Sequence, residues 1–220
     1  EQGIRTFAKP IGVIANVVPC TNPESTICCL ALSTLKTRNA MIVTPHPRTQ
    51  KTSYETVMHV RKGLEKVGAP VDLVQCIKQT SHAATSALMS VCDYAVATGG
   101  AALVKVVYAA GKPAQTVGAG NVVAIVDKSA NLAEAAEKIK ISKIANNSAS
   151  CSSENAVAIY ESSYDAMIEE LKKQGGYMCS TEERELLRKY MWPDGTHLNR
   201  DVVAKPAIVN AKNAGLSVPD

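Results

Sequence analysis

The stretch IGVIANVVPCTNPESTICCLALSTLKTRNAMIVTPHPR, residues 11–48, decides the fold class. Residues 11–19 are an apolar run that ends at a proline, which predicts a buried strand. The segment CTNPES is a loop that leads into a helix beginning near Ser25, and NAMIVTP predicts a second buried strand. A buried strand, a helix and another buried strand in this order are typical of a parallel βαβ unit.

The same alternation continues toward the middle of the chain. Helices are predicted over residues 49–67, 81–91 and 101–111. Strands are predicted between and after them, at VDLVQCI, DYAVATGG and KPAQTVGAG. We therefore expect an α/β fold with a Rossmann-like, doubly wound parallel sheet, whose ligands bind at the carboxyl ends of the strands.

The order of predicted strands, helices and loops changes in the second part of the chain. The strand predicted at NVVAIVD precedes an amphipathic helix over residues 131–145, and a further strand is predicted at NAVAIYE. Two helices are then predicted over 163–174 and 181–190, and the exposed loop MWPDGTHLNRD separates them from a final helix over 205–214. The apolar stripe of the helix over residues 131–145 is predicted to consist of Leu132, Ala135, Ala136, Ile139 and Ile144. We place a domain boundary close to Asn147.

Composition excludes several classes of function. The 220 residues are 46% hydrophobic, and the net charge of +4 is spread without a dense Lys/Arg run, so nucleic acid is not an expected partner. Seven cysteines without CxxC spacing and four dispersed histidines indicate neither a metal site nor a disulfide framework. No apolar run is long enough to span a bilayer and no signal peptide is evident. We expect a soluble protein in a reducing cytoplasm, without a membrane partner.

Turns at the predicted strand ends supply candidate binding residues. A glycine turn at the end of a strand lets a cofactor approach the backbone, and prolines make a turn rigid. A purely structural turn is the alternative interpretation of each of these segments, and the chain has no GxGxxG fingerprint. The candidates in these turns are Thr21, Asn22, Pro45, His46, Thr98, Gly99, Gly100, Val117 and Gly118.

One cysteine lies in an unusual setting. Cys151 stands in NNSASCSSEN among small polar residues, whereas Cys28 and Cys29 have apolar neighbours. Exposed backbone amides in such a loop can stabilise a thiolate and leave it accessible, which suggests a nucleophile. An inert loop cysteine is the alternative, because no paired base is visible in the sequence.

Taken together, these segments resemble the aldehyde dehydrogenase superfamily, in particular its acylating, coenzyme A-dependent branch. VVPCTNP, LKTRNAMIVTPHPR, LVKVVYAAGKPAQTVGAGN and the cysteine followed by SSE carry the resemblance, which spans essentially all 220 residues. It implies a nucleotide-binding domain over residues 1–147 and the beginning of a catalytic domain over 148–220. Relative to the family the chain looks like the middle portion, and a complete enzyme is expected to be a homo-oligomer.

The resemblance also implies a reaction. Cys151 would attack a small aldehyde such as acetaldehyde or sulfoacetaldehyde, hydride would pass to NAD or NADP, and coenzyme A would release acyl-CoA from the cysteine thioester. The cysteine amide and a side-chain amide would hold the oxyanion. Asn22 is the candidate for that side chain, although aligning the prolines of PCTNP places Thr21 there instead. The remaining strand-end candidates would bind the nucleotide.

Departures from the family pattern limit the choice of acceptor. Thr116 stands where hydrolytic members carry the glutamate that activates water, which favours a thiol as the acceptor. Glu154 is interpreted as an orienting or structural residue, and not as a replacement base. Ala145 and Ser148 occupy the places of an aromatic residue and a glycine, which suggests altered loop geometry, a different pocket size or reduced activity. A non-catalytic nucleotide-binding or assembly module and a hydrolytic aldehyde dehydrogenase remain the alternatives.

Overall fold

The chain folds into two compact units that divide between Ala119 and Gly120. The structure, a computed structural model, describes residues 3–219. The strand and helix on the amino-terminal side of Asn147 therefore fold with the residues around Cys151. The functional boundary proposed near Asn147 stays a prediction.

The first unit contains a five-stranded parallel sheet, which confirms the predicted α/β class. Its strand order is β3-β2-β1-β4-β5, and every neighbouring pair is parallel. The order reverses between β1 and β4, which is the position where doubly wound sheets open a crevice for ligands. The strands are β1 (Val13–Val17), β2 (Ala40–Thr44), β3 (Val74–Cys76), β4 (Tyr94–Thr98) and β5 (Ala114–Val117).

Helices cover both faces of this sheet. They are α1 (Pro23–Lys36), α2 (Gln50–Lys66), α3 (His82–Val91) and α4 (Ala101–Ala109), with short 3-10 helices at Pro47–Thr49 and Val71–Leu73. Because successive side chains of a strand point to opposite faces, Ala15 packs with Leu88 and Val107 on one face. Met41 packs with Ile27 on the other. Helices α3 and α4 therefore cover one face, and α1 and α2 cover the opposite face.

Two polar side chains fasten the amino-terminal edge of the sheet. The Asn39 Oδ1 accepts a hydrogen bond from the Gly12 N–H at 2.9 Å, and the Asp93 Oδ2 accepts one from the Val13 N–H at 2.8 Å. Gly12 adopts φ 133°, and a Cβ added there would lie 2.1 Å from the Asp93 Oδ2. A glycine is required at this position because both the backbone conformation and the close approach of Asp93 exclude a side chain.

The second unit is built around a two-stranded parallel sheet. Strands β6 (Val122–Val126) and β7 (Glu154–Ile159) pair, and Val126, Ala136 and Met167 form the buried centre of the core. Its helices are α5 (Leu132–Ile144), α6 (Tyr164–Lys173), α7 (Thr181–Met191) and α8 (Ala207–Asn213). Short 3-10 helices lie at Ala145–Ser148, Glu161–Ser163 and Arg200–Val202.

The apolar stripe predicted for α5 is correct except at its last residue. Ala136 is fully buried, and Leu132, Ala135 and Ile139 pack against the same core. Ile144 is 63% exposed, so its assignment to the stripe is wrong. At about 100° per residue Ile144 lies about 120° around the helix from Leu132 and faces away from the core.

Candidate functional site

The predicted nucleotide-binding residues and the predicted oxyanion donor Asn22 lie at the carboxyl edge of the five-stranded sheet. Val17 pairs with both Thr44 and Ala97, and Thr98 pairs with Val117, so four strands end at nearly the same level. The chain then leaves the sheet through the turns that contain the predicted residues. Those residues are Thr21 and Asn22 after β1, Pro45 and His46 after β2, Thr98–Gly100 at the end of β4, and Val117 and Gly118 at the end of β5.

The amino terminus of α4 presents backbone donors at this edge. Gly100 is the N-cap and has no side chain to satisfy the first N–H groups of the helix. The Gly99 N–H donates to the Val117 carbonyl at 3.0 Å, which fastens the turn to β5. A Cβ added at Gly100 would meet nothing within 4 Å, so the space before the helix is open. This arrangement fits an anionic group such as a phosphate of a dinucleotide.

The turn after β1 presents a side-chain amide. Asn22 is the N-cap of α1, but its side chain makes no capping bond. Its Oδ1 instead accepts a hydrogen bond from the Thr21 hydroxyl at 3.1 Å, while its backbone carbonyl accepts one from the Thr26 N–H at 3.2 Å. Within residues 3–219 the Asn22 Nδ2 has no hydrogen-bond acceptor. The amide can therefore donate to a ligand, as the oxyanion role requires.

The turn after β2 is held rigid by local bonds. The His46 Nδ1 accepts a hydrogen bond from the Arg48 N–H at 3.2 Å, and the His46 carbonyl accepts one from the Thr49 N–H at 2.9 Å. Pro45 is buried. Thr44 is 2% exposed, and its hydroxyl has no partner among the residues that the structure describes. A buried hydroxyl without a partner at this edge is a second feature that fits a polar ligand.

Cys151 lies in an exposed turn of the second unit. After α5 the chain passes through three consecutive residues in the left-handed region, Asn146, Asn147 and Ser148, with φ values of 49°, 51° and 62°. The Ser153 N–H then donates to the Ser150 carbonyl at 3.1 Å, which closes a turn around Cys151. The thiol is exposed on this turn, as expected for a nucleophile and unlike a structural core cysteine.

Serine hydroxyls fix the shape of the turn. The Ser148 and Ser153 hydroxyls are 2.9 Å apart, and the Ser153 hydroxyl also donates to the Ser142 carbonyl of α5 at 3.5 Å. Ser150 and Ser152 are hydrogen-bonded through their hydroxyls at 2.8 Å. Ser153 is 3% exposed and anchors the turn to the helix. Sequence reasoning missed the anchoring by Ser142 and Ser153, because a serine-rich tract by itself does not indicate which hydroxyl is buried.

Hydrogen bonds hold both the side-chain carboxyl and the backbone carbonyl of Glu154. The Ser142 hydroxyl, as the largest cause, lowers the pKa of the Glu154 carboxyl. Its backbone carbonyl accepts a hydrogen bond from the Lys143 ammonium at 2.7 Å. The Oε2 is buried and lacks a partner in the described part of the chain. A lowered pKa makes the Glu154 carboxylate a weaker base, which is in line with the orienting or structural role expected for this residue.

The two groups of candidate residues belong to different units of the structure. The strand-end residues, including Asn22, lie in the first unit, and Cys151 lies in the second. The pairing of Asn22 with an oxyanion on Cys151 therefore stays a prediction. Over residues 3–219 no cluster of three or more His, Cys, Asp or Glu side chains could hold a metal ion, and none of the helices there could cross a membrane.

Comparison with known proteins gives a consistent family. The sequence profile described as "Aldehyde dehydrogenase family" matches residues 1–178. An acylating sulfoacetaldehyde dehydrogenase from Bilophila wadsworthia is 44% identical over 100% of this chain and 48% of its own length. The crystal structure of an acetylating aldehyde dehydrogenase from Geobacillus thermoglucosidasius superposes with a TM-score of 0.90 at 39% identity, covering 97% of this chain and 47% of that one.

A third comparison bears on coenzyme A. A propionaldehyde dehydrogenase from Rhodopseudomonas palustris, solved with bound CoA and an acylated cysteine, superposes with a TM-score of 0.84 at 31% identity. The match covers 96% of this chain and 49% of that structure. The chain thus spans about half the length of these relatives.

Proposed function

This chain belongs to the aldehyde dehydrogenase family, and we propose that it functions in an acylating enzyme of that family, which oxidises a small aldehyde to acyl-CoA with NAD or NADP. One observation carries the proposal. Cys151 lies within the residues matched by the family profile, and its thiol is exposed on a turn fixed by neighbouring hydroxyls. A nucleophilic cysteine requires this combination of access and fixed geometry.

The proposed reaction has two half-reactions on Cys151. The thiolate adds to the aldehyde carbonyl carbon to give a thiohemiacetal, and loss of hydride from that carbon leaves a thioester on the sulfur. The thiol of CoA then attacks the thioester, releasing acyl-CoA and returning the Cys151 thiol. When bound, the oxidised nicotinamide supplies the hydride acceptor. The Cys151 amide and the Asn22 or Thr21 side chain are the proposed oxyanion donors, each contributing about 3 kcal/mol in comparable sites.

Thr116 stands where hydrolytic family members carry the glutamate that activates water, and this difference favours CoA as the acyl acceptor. Water has a pKa near 15.7 and needs a general base, whereas a thiol with a pKa of about 8.5 supplies some thiolate at neutral pH. Thr116 lies in β5 and carries no group that could remove a proton from water. Transfer to CoA is therefore favoured over hydrolysis.

The strand-end turns are the proposed nucleotide site. The open space before Gly100 and the first amides of α4 would receive a phosphate, with Thr98, Gly99, Val117 and Gly118 shaping the turns on either side. Pro45 and His46 would border the adenosine side of the site.

For the substrate we propose a small aldehyde that carries an anionic group, as in sulfoacetaldehyde. The 44% identity to an acylating sulfoacetaldehyde dehydrogenase supports this class. The hydroxyls of Ser150 and Ser152 flank Cys151 and bond to each other, which leaves one O–H free to donate to a sulfonate oxygen. Acetaldehyde is the neutral competitor against which selectivity is measured.

The discriminating assay measures aldehyde-dependent NAD(P)H formation by the chain with and without CoA. We expect turnover that requires CoA and is abolished by Cys151→Ala, with Cys29→Ala as the matched exposed-cysteine control. CoA-independent turnover would indicate a hydrolytic enzyme instead. Turnover in none of these conditions would support the non-catalytic module.

A second readout is independent of the nicotinamide. Incubation with acetyl-CoA is expected to transfer one acetyl group to Cys151, because thioester exchange is the reverse of the second half-reaction. Intact-protein mass spectrometry would detect the transfer, and Cys151→Ala should remain unmodified. Acetylation of both proteins to the same extent would refute the assignment of the nucleophile.

The proposal extends to the cellular compartment and the oligomeric state of the enzyme. All seven cysteines are free thiols, which supports a reducing, cytoplasmic setting. We propose that the enzyme acts as a homo-oligomer on a small-molecule substrate, without a nucleic acid or membrane partner. Size-exclusion chromatography with light scattering tests the assembly state.

A further inference from the structure

A cationic cavity lies at the carboxyl edge of the first unit, beyond β2 and β3. It has a volume of about 280 Å³ and is lined by Gln50, Lys51, Tyr54 and Lys78. The first three residues belong to the opening turns of α2, and Lys78 follows the end of β3 by two residues. Because the Ile77 N–H donates to the Val43 carbonyl at 2.9 Å, the segments after β2 and β3 leave the sheet side by side.

The charges around this cavity are of one sign. The Lys78 ammonium lies 5.3 Å from the centre of the Tyr54 ring, a cation–π distance that holds it at the cavity. Within residues 3–219 neither Lys51 nor Lys78 takes part in an ion pair. Glu55, one turn beyond Lys51, lines an adjoining groove together with Arg61, and Tyr54 separates that groove from the cavity. The cavity therefore offers two lysine ammonium groups that form no ion pair in the described part of the chain.

The position of the cavity identifies the part of a dinucleotide that would reach it. In doubly wound sheets the adenosine ribose lies at the end of the second strand, where an acidic residue accepts a hydrogen bond from the 2′-hydroxyl in NAD-specific proteins. A cation in that place accommodates a 2′-phosphate. Here residues 25–54 contain no Asp or Glu, and Arg48 and Lys51 follow the end of β2.

We propose that the cavity lined by Lys51 and Lys78 binds the 2′-phosphate of the adenosine ribose, so that the chain takes an NADP-type cofactor in preference to NAD. This inference rests on the proposed nucleotide site. Two ammonium groups supply point charges for a phosphate dianion, and because residues 25–54 contain no Asp or Glu, the end of β2 lacks the carboxylate by which an NAD-specific site repels it.

Calorimetric titration of the 220-residue chain with nucleotide fragments tests the proposal without turnover. The probes are adenosine 2′,5′-bisphosphate, its 3′,5′-isomer and adenosine 5′-monophosphate. We expect the 2′,5′-bisphosphate to bind at least about tenfold more tightly than the monophosphate, since a charge-assisted contact contributes that much or more. The 3′,5′-isomer has the same charge and carries the phosphate position found in coenzyme A, so it is expected to bind less tightly.

Two variants locate the effect. The double variant Lys51→Ala/Lys78→Ala should bring the bisphosphate and monophosphate affinities to within about twofold of each other, while leaving the monophosphate affinity unchanged as a control for folding. Lys62→Ala, on the same helix but lining the other groove, should retain the preference.

Other binding results would overturn the proposal. Equal binding of the monophosphate and the 2′,5′-bisphosphate, or tighter binding of the 3′,5′-isomer, overturns the assignment and leaves the proposed nucleotide site intact. Binding of none of the three overturns both.

Discussion

Ser153 is expected to set the stability of the turn that presents Cys151. Replacing it with alanine removes the hydroxyl that lies 2.9 Å from the Ser148 hydroxyl and 3.5 Å from the Ser142 carbonyl. A hydrogen bond contributes about 1 kcal/mol net, and a buried group left without its partner costs about as much again. Ser148 is half-buried and can be rehydrated, so we expect Ser153→Ala to lower the free energy of unfolding by about 1–2 kcal/mol.

The chain offers a selective probe for this measurement. Its single tryptophan, Trp192, lies in the same unit as Ser153, so urea denaturation followed by tryptophan fluorescence reports on the second unit. With an m-value of about 2 kcal/mol/M, the midpoint should fall by about 0.5–1 M. The looser turn should also slow acetylation of Cys151 by acetyl-CoA.

Ser152→Ala is the matched control. The Ser152 side chain is exposed, and among residues 3–219 its hydroxyl bonds only to that of Ser150, so its removal should change the free energy of unfolding by less than about 0.5 kcal/mol. If Ser153→Ala and Ser152→Ala unfold at the same urea concentration, the buried hydroxyl does not anchor the turn and the reasoning fails.

Three further measurements test other parts of the structure. Ala204 is exposed at φ 59°, so Ala204→Gly should raise the free energy of unfolding by about 1 kcal/mol, whereas the same change in a helix, Ala166→Gly, should lower it by about 0.5–1 kcal/mol. If thermal denaturation shows that the melting temperatures of the Ala204→Gly and Ala166→Gly variants shift in the same direction, the assignment of strain to Ala204 is contradicted. Gly12→Ala should cost about 2–4 kcal/mol, since it combines φ 133° with displacement of Asp93, and a change below about 1 kcal/mol in chemical denaturation would refute the constraint. Burial raises the pKa of Cys76 to about 11, so its alkylation by iodoacetamide at pH 8 should be at least about tenfold slower than that of the exposed Cys151 and should accelerate above pH 10. Comparable rates in peptide mass spectrometry would show that Cys76 is not protected.

The first unit shows how far the local pattern of a sequence determines a fold. The run at residues 11–19 becomes β1 (Val13–Val17), and the amphipathic pattern at 49–67 becomes α2 (Gln50–Lys66). Strand β3 is shorter than the pattern VDLVQCI predicts, because Val71–Leu73 form a 3-10 turn that precedes it. The alternation of strands and helices was sufficient for the class, since a right-handed crossover leaves few arrangements for a parallel sheet.

Pairing between distant strands could not be predicted in the same way. NVVAIVD has the same apolar pattern as the strands before it, yet β6 joins β7 in a separate sheet. The local pattern indicates a strand but not its partner, which depends on residues about thirty positions away in the chain. The compact units divide at Ala119 for this reason, while the functional boundary proposed near Asn147 stays a prediction.

Some parts of the candidate site could be predicted from the local sequence pattern, and others could not. Strand-end residues such as Gly100 and His46 were predictable, because parallel strands bring their carboxyl ends to one edge. The cavity between Lys51 and Lys78 was not, since it requires β2 and β3 to be neighbours. The bond from Ser153 to the Ser142 carbonyl likewise joins a turn to the end of a helix eleven positions earlier, and no local pattern indicates it.

Ser148 connects the departure from the family pattern with the shape of the turn. The resemblance places a glycine at this position, and the structure gives Ser148 φ 62°, a conformation that glycine adopts without cost. A side chain there costs about 1–2 kcal/mol. The hydrogen bond between Ser148 and the buried Ser153 offsets about 1 kcal/mol of this. The serine therefore keeps a left-handed turn ahead of Cys151 and gives that turn a hydrogen bond to the buried Ser153, which a glycine could not make.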